Sequence, residues 1–348
     1  MEGLHNAFRE TPVQCIPCRN GMGWSGTSDM AARAMAGLAL LSAVVAAWCA
    51  ALAEPAPTEE QTTMDIKDIR IRDPFVLPDP KTGLYYLVAN RGNRQRGAKG
   101  WEIYVSKDLR RWRKPVTVYE PAADHWGQLD FWAPELHEYK GKYYLFGTIR
   151  GEKVPRGTQI LVADAPLGPY RPLGPRPQTP KDWVCLDGTL WLEGGRPWMV
   201  FCHEWVQTGD GTICAMPLAG DLSKAAGKPV ELFKASSARW VRPIDEGKYV
   251  TDAPCLYRTK AGTLLMLWSS FCKTGYAVGI ARSESGKITG PWKHDDKPLF
   301  TADGGHPMLF RTFEGQLIML IHQPNGGDKE RAKFLPVEEK DGTLVLRK

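Results

Sequence analysis

The sequence predicts an all-β fold, a five-bladed β-propeller, from a pattern that recurs along the chain. Five times a polar or acidic cluster opens a β-rich run, a glycine turn follows, and a second apolar run returns. The copies begin at Ile71, Trp132, Leu186, Thr251 and Gly304. Their turn glycines, Gly83, Gly141, Gly195, Gly262 and Gly315, are 53 to 67 residues apart. These spacings match the repeat lengths of propeller blades.

A second hairpin follows most of the copies, as at Trp101, Thr158 and Tyr276. Each repeat therefore has four strands. A single four-stranded blade leaves an apolar sheet face uncovered, and only stacking around a ring buries it and protects the sheet edges. Five repeats without a linker predict one propeller domain over residues 68–348.

The N-terminal part has a different character. Residues 1–53 are expected to form a leader with a signal peptide at about Met30 to Ala53, because Arg33 precedes an apolar stretch that ends in small residues. Residues 54–67 then read as a disordered lead-in. The protein is expected to be secreted or periplasmic. The alternative is an uncleaved N-terminal membrane anchor, since the apolar stretch is nearly long enough to span a bilayer.

Composition excludes few functions. Hydrophobic residues at 43% and charged residues at 24% are ordinary for a globular protein. The net charge of +6 comes from scattered lysines and arginines, so nucleic acid is not an expected partner. Beyond the leader there are five cysteines, which read as small buried residues, with one disulfide left open.

The acidic residues of the repeats indicate a site. Inner strands of a propeller all run in one direction, so their first residues gather at one mouth. The ionisable residues at or near the start of these strands, in matching register across the five repeats, are Asp73, Glu135, Asp187, Asp252 and His306. Carboxylates brought together repel each other and resist desolvation, which structure alone does not require. Paired carboxylates in a cleft are what acid and base chemistry needs.

The ends of the second strands return to the same mouth and add a second polar ring. It contains Asn90, Arg91, Thr148, Arg150, His203, Glu204, Ser269, Ser270, His322 and Gln323. Aromatic residues, among them Trp132 and Trp268, border this ring. Flat rings beside carboxylates and amides suit a sugar, whose C–H faces pack on aromatics while its hydroxyls form hydrogen bonds. A carbohydrate is therefore the expected partner, although each residue alone also has a purely structural explanation.

These motifs resemble glycoside hydrolase family 43, whose five-bladed propellers cleave arabinofuranosyl and xylosyl linkages. IRDPFV is similar to the first-blade motif, which implies that Asp73 is the general base. FWAPELHEYKGKYYLF resembles the second-blade motif, with Trp132 and Glu135 in place. LDGTLWLEGGRPWMVF resembles the third-blade motif, which implies that Asp187 orients the acid and tunes its pKa.

The fourth blade departs from the family pattern. TDAP puts Asp252 where the family has a glutamate as general acid, and aspartate is shorter by one methylene, about 1.5 Å. Three alternatives follow: Asp252 is the acid, Glu204 is the acid, or the protein binds sugar without cleaving it. His306 matches a histidine that lies near a metal ion or water in relatives. No cofactor is required, and calcium near His306 stays open.

The expected function is hydrolysis, with inversion, of a terminal pentosyl linkage in plant-type polysaccharide or oligosaccharide, α-L-arabinofuranosyl or else β-xylosyl. The rivals are a non-catalytic sugar-binding propeller and a retaining propeller glycosidase. The expected catalytic residues are Asp73, Asp187, Asp252 and Glu204. The expected sugar contacts are Trp132, Glu135, His203, Trp268, His306 and Arg91.

Overall fold

A computed structural model describes residues 63–91 and 98–347 of the 348-residue chain. The predicted leader and signal peptide, and the first part of the lead-in, lie outside this range. The described chain forms five antiparallel sheets, one for each repeat, so the predicted five-bladed propeller is confirmed.

The first blade has six strands: β1 (Thr63–Asp65), β2 (Phe75–Asp79), β3 (Leu84–Asn90), β4 (Trp101–Ser106), β5 (Arg111–Arg113) and β6 (Val116–Tyr119). The second blade contains β7 (Leu129–Tyr139), β8 (Lys142–Arg150), β9 (Gly157–Ala163) and β10 (Arg171–Pro172). The third contains β11 (Cys185–Glu193), β12 (Arg196–His203), β13 (Thr212–Pro217) and β14 (Val230–Lys234). The fourth contains β15 (Asp252–Arg258), β16 (Leu264–Cys272), β17 (Gly275–Ser283) and β18 (Trp292–His294). The fifth contains β19 (Gly305–Arg311), β20 (Leu317–Gln323), β21 (Arg331–Lys340) and β22 (Thr343–Leu346).

Helical structure is short in the described chain and includes a 3-10 turn at Ile66–Asp68, a four-residue α-helix at Trp205–Thr208, and a 3-10 turn at Ala235–Ser237. Residues 63–65, which fall in the predicted disordered lead-in, form strand β1 and pair with Arg111–Arg113. The lead-in therefore differs from the prediction at its C-terminal end, because β5 offers it a free edge.

Side-chain alternation along each strand explains how blades stack. In β16, Leu265 and Leu267 pack against the fifth blade, whereas Met266 and Trp268 pack against the third. Successive side chains point to opposite faces of a strand, so one apolar run supplies two interfaces. The second strands are accordingly apolar on both faces, as in the fully buried run Leu264–Ser270.

The core is divided into five apolar clusters, one between each pair of neighbouring blades. The last of these joins the two ends of the chain, with Ile69, Ile71 and Leu87 from the first blade against Phe310 and Leu320 from the fifth. The ring is thus closed by the same kind of packing that joins consecutive blades.

Polar contacts complete the ring closure. Arg70 and Arg331 form an isolated antiparallel bridge, and the Ile71 amide donates to the Glu330 carbonyl at 3.3 Å. The Arg72 guanidinium lies 2.7 Å from the carboxylate of Glu330, which is almost fully buried. A buried carboxylate needs such a partner to offset its lost hydration.

Five cysteines fall in the described part of the chain, and all are free thiols. Cys185, Cys202 and Cys214 are buried, and Cys255 and Cys272 are half-buried. The interpretation of the first three as core residues is confirmed. Within residues 63–91 and 98–347, no helix has the length and apolar character needed to cross a membrane.

We expect Glu330→Gln to lower the free energy of unfolding by about 2 kcal/mol, because the substitution leaves the Arg72 cation without its closest anion. Urea unfolding followed by tryptophan fluorescence measures the change. The matched control is Glu338→Gln, whose carboxylate is half exposed and 3.9 Å from Arg347. A control change above about 0.5 kcal/mol, or equal changes in both variants, would contradict the role of Glu330 in ring closure.

Candidate active site

One residue near the start of each inner strand has an unusual backbone. Asp73, Ala133, Asp187, Ala253 and His306 have φ values between 42° and 59°, in the left-handed region. In blades two to five, this residue lies in a register shift between the first and second strands. A bulge of this kind bends a strand and re-aims a side chain. Three of these residues, Asp73, Asp187 and His306, have side chains that contact each other.

The matched positions differ from the prediction in two blades. The second and fourth blades place alanines there, Ala133 and Ala253. Glu135 lies two residues further along β7, and Asp252 lies one residue earlier, opposite Ser269. The predicted register match of all five ionisable residues is wrong for these two. A proline follows the matched residue in four of the five copies and Gly188 follows it in the third, so the backbone conformation repeats and the charge does not.

Side chains from neighbouring blades hold these bulges in place. The Asp187 amide donates to Thr148 Oγ1 at 3.0 Å, and the His306 amide donates to Ser269 Oγ at 2.9 Å. The Asp73 amide donates to His322 Nδ1 at 3.3 Å. Each acceptor stands near the end of the second strand of the preceding blade. The predicted second polar ring thus braces the first ring.

Asp73 and Asp187 meet at His306. The Nδ1 atom of His306 lies 3.1 Å from Asp73 Oδ1 and 3.9 Å from Asp187 Oδ2. The two carboxylate oxygens are therefore at most about 7 Å apart. All three side chains are buried. The sequence prediction that distant repeats bring carboxylates to one mouth is confirmed for this pair.

Asp252 joins the same cluster. Its Oδ2 atom accepts a hydrogen bond of 2.8 Å from the Tyr276 hydroxyl. Asp187 Oδ2 in turn accepts the amide of Ala253, the next residue, at 3.0 Å. Burial raises the pKa of Asp252, and the Tyr276 hydrogen bond and the positive charge of His306 only partly oppose this effect.

The two histidines of the site have pKa values shifted in opposite directions. Burial opposes a charged His306, but the negative charges of Asp73 and Asp187 outweigh it and raise the pKa of His306 to about 9. Burial lowers the pKa of His322 to about 3. At neutral pH, His306 is therefore an imidazolium and His322 a neutral ring. Burial, together with the charges of Asp252 and Asp73, also raises the pKa of Asp187 against the opposing charge of His306.

Glu204 occupies a separate network on the side of blades two and three. Its carboxylate pairs with Arg156, and the same guanidinium binds Asp130 Oδ2 at 2.9 Å. Arg156 also lies over the Trp132 ring at 4.1 Å from its centroid. Burial raises the pKa of Glu204, and the charge of Arg156 opposes this shift. Trp132 and Glu204 thus share one partner, Arg156, which sequence reasoning missed.

Trp268 does not reach the mouth. It has no exposed surface and packs against Trp240 and Phe233 between blades three and four. The prediction that Trp268 contacts sugar is wrong. Neighbouring Ser269 points toward the ring, and strand alternation turns Trp268 the opposite way into the core.

The remaining predicted sugar contacts lie elsewhere around the ring. Glu135 accepts a 2.9 Å contact from His137 on its own strand. His203 stacks on Trp183 with ring centroids 4.1 Å apart, and its Nε2 lies 2.8 Å from Gln207. Arg91 follows β3 and pairs with Glu120 at 2.5 Å. Their contacts with a sugar stay predictions.

Metal binding finds limited support in this geometry. In the described chain, no three His, Cys, Asp or Glu side chains are grouped to hold a metal ion. His306 Nδ1 is already occupied by Asp73. Calcium near His306 therefore stays a prediction that rests on the resemblance alone.

Sequence reasoning missed several residues of the cluster. Arg72 Nε lies 3.6 Å from Asp73 Oδ1, and Tyr276 reaches Asp252 from β17. Arg72 directly precedes the first-blade aspartate, which was a usable signal. Tyr276 comes from the third strand of its blade, and the inner-strand argument considered only the first two strands.

A five-bladed ring that brings Asp73, Asp187, Asp252 and His306 together has the fold of a propeller glycosidase. The family model "Glycosyl hydrolases family 43" matches residues 65–338. The chain belongs to this family, and the protein is a glycoside hydrolase. No curated protein sequence matches the chain.

Several solved structures are similar. The crystal structure of an endo-arabinase from Bacteroides thetaiotaomicron is 45% identical, covers 81% of this chain and 99% of its own, and superposes with a TM-score of 0.76. An endo-1,4-beta-xylanase from the same organism is 22% identical over 82% of this chain and 96% of its own, with a TM-score of 0.67. An alpha-L-arabinofuranosidase from Lactobacillus brevis is 21% identical over 81% and 97%, with a TM-score of 0.65. The last two likenesses show the fold alone.

We expect Thr148→Val to lower the free energy of unfolding by about 1 to 3 kcal/mol, because it leaves the Asp187 amide buried without its acceptor. Thermal unfolding by circular dichroism measures the loss. Thr274→Val is the control, since that hydroxyl is exposed and bonds only a nearby carbonyl and thiol. Equal melting temperatures for Thr148→Val and the wild type would contradict the bracing role of Thr148.

Proposed function

We propose that the protein hydrolyses α-L-arabinofuranosyl linkages by single displacement with inversion. The observation that carries the mechanism is the buried cluster of Asp73, Asp187 and His306, beside Asp252, at one mouth of the ring. The observation that supports the sugar is the 45% identity to a structure named as an endo-arabinase. β-Xylosides are the second candidate substrate.

In this mechanism, Asp73 takes a proton from water while the water oxygen bonds to the anomeric carbon. The bond from that carbon to the leaving oxygen breaks, and Asp252 gives its proton to the leaving oxygen. An inverting enzyme needs one ionised and one protonated carboxyl group. The imidazolium of His306, 3.1 Å from Asp73, favours the ionised form of the base.

Two observations favour Asp252 over Glu204 as the acid. Asp252 lies in the cluster with Asp73 and Asp187, and burial raises its pKa, which favours the protonated form. Burial raises the pKa of Glu204 as well, but its ion pair with Arg156 opposes this shift and favours the carboxylate. Asp187 accepts the amide of Ala253, so it also fixes the backbone beside the acid. The negative charge of Asp73 adds to burial in keeping the proton on Asp252.

The proposal also concerns where along the polysaccharide the enzyme cleaves. The name of the 45% identical relative favours internal linkages of an arabinan, whereas the sequence interpretation favours chain ends. Products from linear arabinan separate the two, because internal attack releases a range of oligosaccharides and terminal attack releases one small sugar from the start. Export by the segment Met30 to Ala53 is also part of the proposal, and N-terminal sequencing of the mature protein tests it.

Asp73→Asn should reduce the turnover of arabino-oligosaccharides by about 1000-fold or more and leave their binding nearly unchanged, because the amide cannot take a proton from water. Turnover is followed by sugar release, and binding by calorimetry. Asp164→Asn, which changes an exposed carboxylate, is the control. Turnover by Asp73→Asn at the wild-type rate would remove Asp73 from the mechanism. Proton NMR of the first product tests inversion, and an unchanged anomeric configuration would favour the retaining rival.

Asp252→Asn and Glu204→Gln distinguish the two candidate acids. We expect Asp252→Asn to lose about 100-fold or more in kcat and Glu204→Gln to lose about 10-fold or less. Both are measured on linear arabinan at saturating substrate, with melting temperatures to confirm folding. The opposite ranking would assign the acid to Glu204. A wild-type protein that binds arabinan and releases no sugar would instead support the non-catalytic alternative.

A further inference from the structure

Two buried residues, Tyr276 and His322, lie between the proposed acid and the proposed base. We propose that they are positioning residues that join Asp252 to Asp73 through a continuous set of contacts, with Tyr276 orienting Asp252 and His322 holding both Tyr276 and Asp73. This inference rests on the proposed function, because it assigns Tyr276 and His322 a part in the same reaction.

The Tyr276 hydroxyl selects one oxygen of Asp252. It donates a hydrogen bond of 2.8 Å to Oδ2. A carboxylic acid whose Oδ2 accepts this bond carries its own proton on Oδ1. Tyr276 thereby determines which oxygen can deliver a proton to the leaving group. Burial raises the pKa of Tyr276 well above its usual value, so the hydroxyl remains a donor throughout the working pH range.

The Tyr276 ring has little freedom to move. It stacks on His322 with ring centroids 5.8 Å apart and an interplanar angle of 20°. A Cβ atom at Gly305 would lie 2.4 Å from its Cε1 atom, so only glycine at that position leaves room for the ring. Its amide is also bonded to Asp303 Oδ1 at 3.2 Å. Tight packing on several sides is what holds a catalytic group within a few tenths of an ångström.

His322 fixes Asp73 through a single tautomer. Its Nε2 atom lies 3.2 Å from Asn325 Oδ1, and an amide oxygen only accepts, so Nε2 carries the hydrogen. The lone pair of Nδ1 is then free to accept the Asp73 amide at 3.3 Å. The low pKa of His322, about 3, keeps the ring neutral and this arrangement intact.

The link spans three blades. Asp252 and Tyr276 belong to the fourth, His322 to the fifth, and Asp73 to the first. It adds to the contact of His306 with Asp73 and to that of Asp187 with the Ala253 amide. A misplacement of about 1 Å at a reacting group is enough to cost about 100-fold in rate. The contacts therefore tie the relative positions of acid and base to the packing of the ring.

Leaving-group dependence tests the part of Tyr276. Phenyl and 4-nitrophenyl α-L-arabinofuranosides differ in how much proton donation their departure needs, because nitrophenol is the stronger acid. We expect Tyr276→Phe to lower kcat on the phenyl substrate by about 100-fold and on the 4-nitrophenyl substrate by about 10-fold or less, with KM nearly unchanged. Tyr257→Phe, which removes a hydroxyl from the same blade that bonds Glu339, should lower neither.

His322→Phe should give a different pattern. The substitution keeps an aromatic ring beside Tyr276 and removes the acceptor of the Asp73 amide. Because the base acts on water and not on the leaving group, we expect equal losses on the two substrates, roughly 10-fold each. Gly305→Ala would crowd both the Tyr276 ring and Ser269 Oγ, which accepts the His306 amide, so it should lower the rates on both substrates.

Two results would overturn the inference. Equal losses on both substrates in Tyr276→Phe, with an unchanged melting temperature, would mean that the hydroxyl does not act through the acid. Wild-type rates in His322→Phe would remove His322 from the link. A wild type that is inactive on both furanosides and on arabinan would contradict the proposed function itself, and this inference with it, so the two failures are distinguishable.

Discussion

The site depends on one buried imidazolium between two carboxylates. His306 lies 3.1 Å from Asp73 and 3.9 Å from Asp187, and all three side chains are removed from water. Three aspartates at one mouth would otherwise repel each other and be driven to neutral forms by desolvation. The charge of His306, together with that of Arg72 beside Asp73, allows one of them to stay ionised while burial keeps others protonated. This difference is what acid and base catalysis requires.

Contacts between neighbouring blades of the ring hold these residues in position. Asp73, Asp187 and His306 have a left-handed backbone, a conformation that non-glycine residues adopt at a cost in free energy. Hydroxyl groups of Thr148 and Ser269, and the ring of His322, bind the backbone amides of these three residues from the preceding blade. A blade on its own could not retain this backbone. Stacking of blades therefore stabilises the fold and orients the site through the same contacts.

The surroundings of Asp252 suit a side chain shorter than the glutamate that the family resemblance implies at this position. A shorter side chain places the carboxyl group nearer to its own backbone, where the Tyr276 hydroxyl reaches it from β17. The adjacent Ala253 amide donates to Asp187, so Asp187 holds the backbone directly beside the proposed acid. Glu204, by contrast, belongs to the network of Arg156 and Asp130, and Trp132 packs against the same guanidinium.

The sequence alone determined the number of blades and brought Asp73, Asp187 and His306 together. Strand periodicity and repeat spacing can be recognised along the chain without knowledge of how the strands pair. The sequence did not determine that Trp268 is a core residue, since a single step along β16 decides between mouth and interior. It also did not reveal Tyr276, His322 and Arg72 as partners of the aspartates. Those contacts join residues from different blades, and only closure of the ring brings them within hydrogen-bonding distance.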